Sequence, residues 1–198
     1  MASGLVYILQ SLLDLYLITF VLRLSMQWVR ADFRNPIVQF VLKVTNPVVA
    51  PLRKILPPVY KIDSGTLIAY LALQLVAVLA LTFLTCAELP GIAASIGLAV
   101  IRGIRLLINV YFFVVFGFVL MSWVAQGTYN PSLAMISRLL NELASPVLAP
   151  LQRIIPPIAG LDLSPVFLLL VMGAATRMLY GPAQQLTAGL LCPLAAII

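Results

Sequence analysis

Four long apolar stretches dominate the chain, and each is close to the length of a membrane span. They cover residues 5–28, 66–85, 106–125 and 164–180. A spanning helix needs roughly 20 consecutive, predominantly apolar residues. Charged residues make up only 9% of the chain, whereas about 25% is usual in soluble domains. The sequence therefore predicts an all-α integral membrane bundle with about four transmembrane helices.

A proline-rich segment occurs twice. Residues 46–58 read NPVVAPLRKILPP and residues 145–157, 99 positions later, read SPVLAPLQRIIPP. Upstream of it three residues recur 95 positions apart: Trp28, Asn35 and Pro36 match Trp123, Asn130 and Pro131. We predict two tandem parallel repeats, residues 1–90 and 91–181, followed by an apolar C-terminal tail at 182–198.

The basic residues predict the orientation of the chain. Arg23 lies within the first stretch and three lie on the other side of the four spans (Arg102, Arg105 and Arg177), whereas eight lie between the first two or the last two spans: Arg30, Arg34, Lys43, Arg53, Lys54, Lys61, Arg138 and Arg153. Cytoplasmic loops carry the excess of Lys and Arg, so we expect these two segments in the cytoplasm and both termini outside. The first stretch lacks a signal-peptide pattern and reads as an uncleaved anchor. The net charge of +6 fits this topology and contact with anionic headgroups; nucleic-acid binding is not expected.

Each repeat is predicted to contain an amphipathic interfacial helix. Asn35-Pro36 and Asn130-Pro131 suit the N-cap and first position of a helix, and apolar residues at helical spacing follow both. The proline-rich segments after them cannot continue as long regular helices and are interpreted as proline-broken connectors. Two roles stay open for them: a rigid connector or docking surface, and a re-entrant turn that lines a pore.

Few polar side chains fall inside the spans. Asp14 aligns with Asn109, and Tyr16 with Tyr111, at the offset of 95. We expect an Asp14–Asn109 contact near one depth in the membrane. This contact is interpreted either as a structural hydrogen bond between helices or as part of an ion path that both tyrosines also line.

Several flanking residues have a simple expected role. Arg23 is expected to extend towards the cytoplasmic headgroups, and Trp28 and Trp123 to anchor at the interface. Arg102 and Arg105 are expected at a headgroup boundary. A third helix that extends through residues 91–105 stays open. Gly181-Pro182 should break or kink the last span.

The sequence offers little for catalysis. The chain has no His, which removes the commonest general base and most zinc sites. Cys86 and Cys192 could pair, but packing roles are favoured. Asp63 and Asp162 are expected to cap the helices that follow them. No enzyme, cofactor or metal site is predicted.

A set of motifs covering nearly the whole chain resembles the bacterial YggT family. These residues are Arg23, Trp28, Asn35, Pro36, Asn46, Pro47, Pro51, Pro57, Pro58, Trp123, Asn130, Pro131, Pro146, Pro150, Pro156, Pro157, Asp162, Ser164 and Pro165. The pattern is incomplete in places, since Phe118 stands where the first half has Arg23. The resemblance implies a multi-pass protein of the bacterial inner (plasma) membrane with no settled biochemical activity; in such a membrane the basic residues predict periplasmic termini. Members of the family that it resembles are associated with osmotic or ion homeostasis, with envelope organisation or with cytochrome assembly.

Two functions are carried forward. The favoured one is a non-enzymatic inner-membrane scaffold or assembly factor for membrane or cell-envelope complexes, with Arg53, Lys54 and Arg153 contacting membrane-protein partners or lipid headgroups. The alternative is an ion channel or transporter in osmotic or potassium homeostasis. It would use Asp14, Asn109, Tyr16 and Tyr111. A homo-oligomer stays open.

Overall fold

The computed structural model describes residues 2–55, 63–86, 88–124, 130–154 and 162–188. This part of the chain is helical, with no β-strand in it, so the predicted all-α class is confirmed. The helices are α1 (Ala2–Val29), α2 (Pro36–Ile55), α3 (Ser64–Cys86), α4 (Ile92–Val124), α5 (Pro131–Ile154), α6 (Ser164–Met178) and α7 (Tyr180–Thr187).

Four spans of the described chain are long and apolar enough to cross a membrane, namely residues 4–29, 64–86, 92–124 and 164–187. The third span is longer than the predicted stretch at residues 106–125, because α4 runs without a break from Ile92 to Val124. Its 33 residues extend over about 50 Å, at 1.5 Å per residue. That exceeds the roughly 30 Å hydrocarbon core, so α4 must tilt or extend beyond it.

The last span is interrupted where proline chemistry requires it. Helix α6 ends at Met178 and α7 begins at Tyr180. The ring of Pro182 clashes with the carbonyl four residues earlier, which belongs to Met178, and Pro182 has no N–H to donate. The predicted break near Gly181-Pro182 is therefore confirmed. Helix α7 packs against α4 through Ala183, so part of the predicted tail is helical; residues 189–198 lie outside the described chain.

Helices α2 and α5 begin as the sequence predicts. The Asn35 side-chain oxygen accepts the backbone N–H of Ile37 at 2.9 Å. The Asn130 oxygen accepts that of Ser132 at 3.0 Å. Both predicted N-caps are confirmed.

The expectation that the proline-rich segments could not be regular helix is wrong for their first ten residues. Pro47 and Pro51 lie inside α2, and Pro146 and Pro150 lie inside α5. All four prolines are exposed. Within each helix the two prolines are four residues apart, so the carbonyls they deprive of a helical donor lie along one face. The Ser145 hydroxyl donates to the Glu142 carbonyl at 3.2 Å, and water or headgroups can satisfy the others. Pro57, Pro58, Pro156 and Pro157 lie outside the described residues.

The opposite faces of α2 and α5 are buried against the spans. Val49 of α2 and Ala144 of α5 are fully buried, together with Phe20 and Val21 of α1 and Val115 of α4. The two interfacial helices are therefore part of one apolar core with the spans. The tandem-repeat interpretation and the orientation in the membrane stay predictions.

Candidate functional site

A chain of polar side chains crosses the interior of the spans; we call it the Arg102 cluster. Nη2 of Arg102 donates to Oδ1 of Asp14 at 2.5 Å, and Nη1 donates to Oε1 of Gln74 at 2.7 Å. The Gln74 amide donates to the Tyr70 hydroxyl at 3.2 Å, which donates to the Gly103 carbonyl at 2.7 Å. The cluster therefore links α1, α3 and α4.

The Arg102 cluster lies deep in the bundle. Gln74 is 0% exposed and Arg102 5% exposed, while the Asp14 side chain keeps 33% of its surface. Asp14 is about 15 Å along α1 from Gly4 and about 22 Å from Val29, at 1.5 Å per residue. A charge at such a depth is costly unless paired and hydrogen-bonded, and the cluster supplies both.

The expected partner of Asp14 is wrong. Asp14 pairs with Arg102, whereas Asn109 is exposed on α4. Arg102 is buried in the bundle, where Asp14 and Gln74 together satisfy its guanidinium; its position at a headgroup boundary stays a prediction. Its neighbour Arg105 stacks over the Tyr180 ring at 4.6 Å, a cation–π contact.

The two tyrosines assigned to an ion path have separate surroundings. The Tyr16 ring meets Phe20 edge to face, with centroids 5.2 Å apart. Tyr111 lines an apolar groove of about 520 Å³ that also contacts Trp28. The structure does not bring Asn109, Tyr16 and Tyr111 together around Asp14.

A second polar cluster, the Arg23 cluster, joins α1 to α2 and to the start of α3. Nη1 of Arg23 donates to Oγ1 of Thr45 at 2.6 Å and to Oδ1 of Asn46 at 2.9 Å. Its Nη2 lies 3.8 Å from Oδ2 of Asp63. Arg23 is 1% exposed, so the expectation that it extends to the headgroups is wrong: polar groups within the protein replace them.

Asp63 is the hub of this cluster. Its Oδ2 accepts hydrogen bonds from Nε of Arg53 and from the hydroxyl of Thr66, both at 2.7 Å. Burial pushes the pKa of Asp63 upwards. The hydrogen bonds from Thr66 and Arg53 and the charges of Arg53 and Arg23 outweigh burial and hold the pKa below its ordinary value. Asp63 precedes α3 and its carbonyl accepts the Thr66 N–H at 2.9 Å, but its carboxylate also forms an ion pair that capping alone did not predict.

The second half of the chain has a counterpart of this arrangement in which the donor is neutral. Nε2 of Gln152 donates to Oδ2 of Asp162 at 2.7 Å. Oδ1 of Asp162 accepts the Ser164 backbone N–H at 2.9 Å, although Leu163 occupies the N-cap position of α6. Burial raises the pKa of Asp162, but the hydrogen bonds from Ser164 and Gln152 bring it below its ordinary value.

The three bases assigned to docking are not equivalent. Arg53 is half-exposed, and its Nε is engaged by Asp63. Lys54 and Arg153 are exposed in the last turns of α2 and α5, where cations complement the helix dipole. These two occupy equivalent positions, 99 residues apart, in the repeated segment.

Metal-ligating residues and cysteines are the remaining candidates for a functional site. No group of three or more His, Cys, Asp or Glu residues within it is arranged to hold a metal ion. Cys86 is disulfide-bonded, whereas the sequence favoured a packing role for it. Cys192 lies outside the described residues.

Fold and site define a helical protein with several membrane-spanning helices, whose buried charges are paired within the bundle. The family described as CCB3/YggT matches residues 2–84 and 97–183, and the chain belongs to this family.

The chain is similar to three curated relatives, all described as uncharacterized. A protein of Pseudomonas aeruginosa is 38% identical over 168 residues, covering 84% of this chain and 83% of its own. The protein YggT of Escherichia coli K12 is 36% identical over 170 residues, covering 86% of each. A protein of Haemophilus influenzae is 31% identical over 173 residues, covering 82% of this chain and 83% of its own. No solved structure matches.

Proposed function

We propose that the chain is a non-enzymatic scaffold or assembly factor of the bacterial inner membrane, and that α2 and α5 present its docking surface to other membrane proteins. The observation that carries this proposal is the pair of exposed bases, Lys54 and Arg153, at the ends of two proline-containing amphipathic helices. Exposed charges at an interface rim steer partners and select among them. The positive-inside distribution supports a cytoplasmic position for both helices.

The shape of α2 and α5 also supports docking. Their inner faces are fixed by burial in the core, while prolines and bases occupy the outer faces. The Lys43 carbonyl, which Pro47 deprives of its helical donor, offers a hydrogen-bond acceptor to a partner. A rigid surface of this kind loses little conformational entropy on binding.

Crosslinking in intact membranes tests this function. The comparison is between the native chain, the double reversal Lys54→Glu with Arg153→Glu, and Arg177→Glu, a control because Arg177 is an exposed base on α6, away from α2 and α5. We expect defined membrane-protein adducts with the native chain and the control, and their loss with the double reversal. Adducts that survive the double reversal at equal expression would contradict the proposal.

A transporter is the second candidate, because the Asp14–Arg102 pair lies within the spans. Ionisable residues at such depth are by default candidates for ion or proton paths. Potassium and sodium flux into proteoliposomes separates the two functions. The best variant removes both charges together, Asp14→Leu with Arg102→Met, so that no unpaired charge is left buried. Flux above empty vesicles that this variant abolishes would favour transport over the scaffold; an absence of flux from folded native protein would exclude the transporter.

A further inference from the structure

A polar pocket lies between α5 and the turn that joins α1 to α2. Its volume is about 330 Å³, and four charged side chains line it: Asp32, Arg34, Arg138 and Glu142. Two are cations and two are anions, so the lining carries no net charge. The pocket plays no part in the docking proposal, which rests on Lys54 and Arg153.

An apolar groove of about 520 Å³ lies further along α5, bounded by α1, α3, α4, α5 and α6. Leu24 and Trp28 contribute from α1, Tyr111 from α4, Val147 from α5 and Met172 from α6. Most of these residues belong to the spans. The groove therefore has the environment of lipid acyl chains.

Helix α5 connects the pocket and the groove along one face. Ala134, Arg138 and Glu142 line the pocket, and Pro146 lines the groove. These residues follow one another at intervals of four, so they form a single stripe. Glu142 and Pro146 are about 6 Å apart along the helix axis, at 1.5 Å per residue.

We propose that this composite site binds one phospholipid with a zwitterionic headgroup that ends in a primary ammonium, of the phosphatidylethanolamine type. Charge complementarity selects this occupant. The guanidinium groups of Arg34 and Arg138 face the lipid phosphate, where Arg provides bidentate hydrogen bonds. The carboxylates of Asp32 and Glu142 accept hydrogen bonds from the ammonium, which a quaternary choline group cannot donate.

The present partners of these side chains are easily replaced. Nε of Arg138 lies 3.1 Å from Oε1 of Glu142, and the Arg138 side chain is 74% exposed. Exposed ion pairs of this kind contribute little. An anionic lipid with a neutral polyol headgroup would satisfy the arginines and leave the carboxylates facing its charge, which is unfavourable.

Trp28 supplies an intrinsic probe, because it lines the groove and the chain has only two Trp residues. The variant Trp123→Phe leaves Trp28 as the reporter. It is reconstituted in phosphatidylcholine vesicles that contain a small fraction of phosphatidylethanolamine brominated on its acyl chains. We expect bromine at Trp28 to exceed the bulk fraction about tenfold, the factor that one charge-assisted hydrogen bond supplies. The matched reporter is Trp28→Phe, in which Trp123 is 69% exposed and should be quenched only as the bulk fraction requires.

A charge variant tests the basis of selectivity. Asp32→Asn with Glu142→Gln keeps both arginines, so we expect the enrichment of brominated phosphatidylethanolamine to fall to the bulk level and that of brominated phosphatidylglycerol to rise. Helix content by circular dichroism should match the parent protein. Quenching of Trp28 that follows the bulk fraction for both lipids would overturn the proposal, as would a parent protein that enriches phosphatidylglycerol equally well.

Discussion

Arg53 and Gln152 donate equivalent hydrogen bonds, each of 2.7 Å, to the aspartate ten residues further along the chain. They stand 99 positions apart in the repeated proline-rich segment. The first contact is an ion pair beside the buried Arg23, whereas the second has a neutral donor and its aspartate is exposed. The two halves thus use one geometry with different charge, and the first half has the more strongly coupled junction between spans and interfacial helix.

Replacing Arg53 by Gln tests this difference. Arg53→Gln keeps a hydrogen-bond donor to Asp63 but removes the guanidinium charge beside that carboxylate, so we expect a loss of stability of about 1–2 kcal/mol. The converse change, Gln152→Arg, creates an exposed pair and should add at most about 1 kcal/mol. Thermal unfolding in a mild detergent measures both. Equal and opposite shifts would contradict the unequal weight assigned to the two junctions.

The pH dependence of stability reports on Asp63. Its pKa is lowered in the folded protein, so its contribution is fully present above the unfolded pKa of about 3.9. It is lost as pH falls through the folded pKa. We expect the melting-temperature difference between the native protein and Asp63→Asn to be constant above about pH 5 and to shrink below about pH 4. A difference that stays constant through acid pH would mean that ionised Asp63 does not stabilise the junction.

The Arg102 cluster makes a prediction about paired removal. Asp14→Leu alone leaves Arg102 buried without its counter-charge and should cost about 3–5 kcal/mol, as should Arg102→Met. The combined variant should recover most of that loss, because apolar side chains of similar size often replace a buried ion pair at no cost. A double-variant cycle on unfolding free energies gives the coupling energy. Additive losses would show that the two charges do not stabilise the bundle through each other.

The features that the sequence predicted well depend on local chemistry. Apolar runs of spanning length, Asn-Pro at the starts of α2 and α5, and Pro182 near the α6–α7 break each act within a few residues along the chain. The partners of buried charges depend on how distant helices pack. Asp14 was paired with Asn109 because the repeat offset places them at one depth. An amide compensates a carboxylate poorly, however, and Arg102, seven residues before Asn109 on α4, pairs with Asp14 instead.

The partners of Arg23 could not be predicted from its neighbours in the sequence either. Its position near Trp28 made exposure to headgroups a reasonable expectation, since a long side chain can extend out of the bilayer. Thr45, Asn46 and Asp63 lie in other helices or at their start, and nothing local to Arg23 indicates them. The usable signal was the sequence asymmetry: Arg23 aligns with Phe118, and Arg53 aligns with Gln152. Both cations are present in one half and absent from the other.

The exposed prolines of the interfacial helices give a final prediction. Pro47 lies on the outer face of α2, so Pro47→Ala restores a donor for the Lys43 carbonyl without disturbing the core. The fold should therefore tolerate the change or gain stability, since Ala is about 3 kcal/mol more favourable than Pro inside a helix. The control is Leu148→Ala on the buried face of α5, where Leu148 is 2% exposed and a loss of about 2–5 kcal/mol is expected. Thermal unfolding compares both with the native protein, and a large loss on Pro47→Ala would show that Pro47 is needed for packing. In the native protein the Lys43 carbonyl lacks a helical donor and is available to a partner. If Pro47→Ala keeps the fold but lowers crosslinking to partners, that carbonyl belongs to the docking surface.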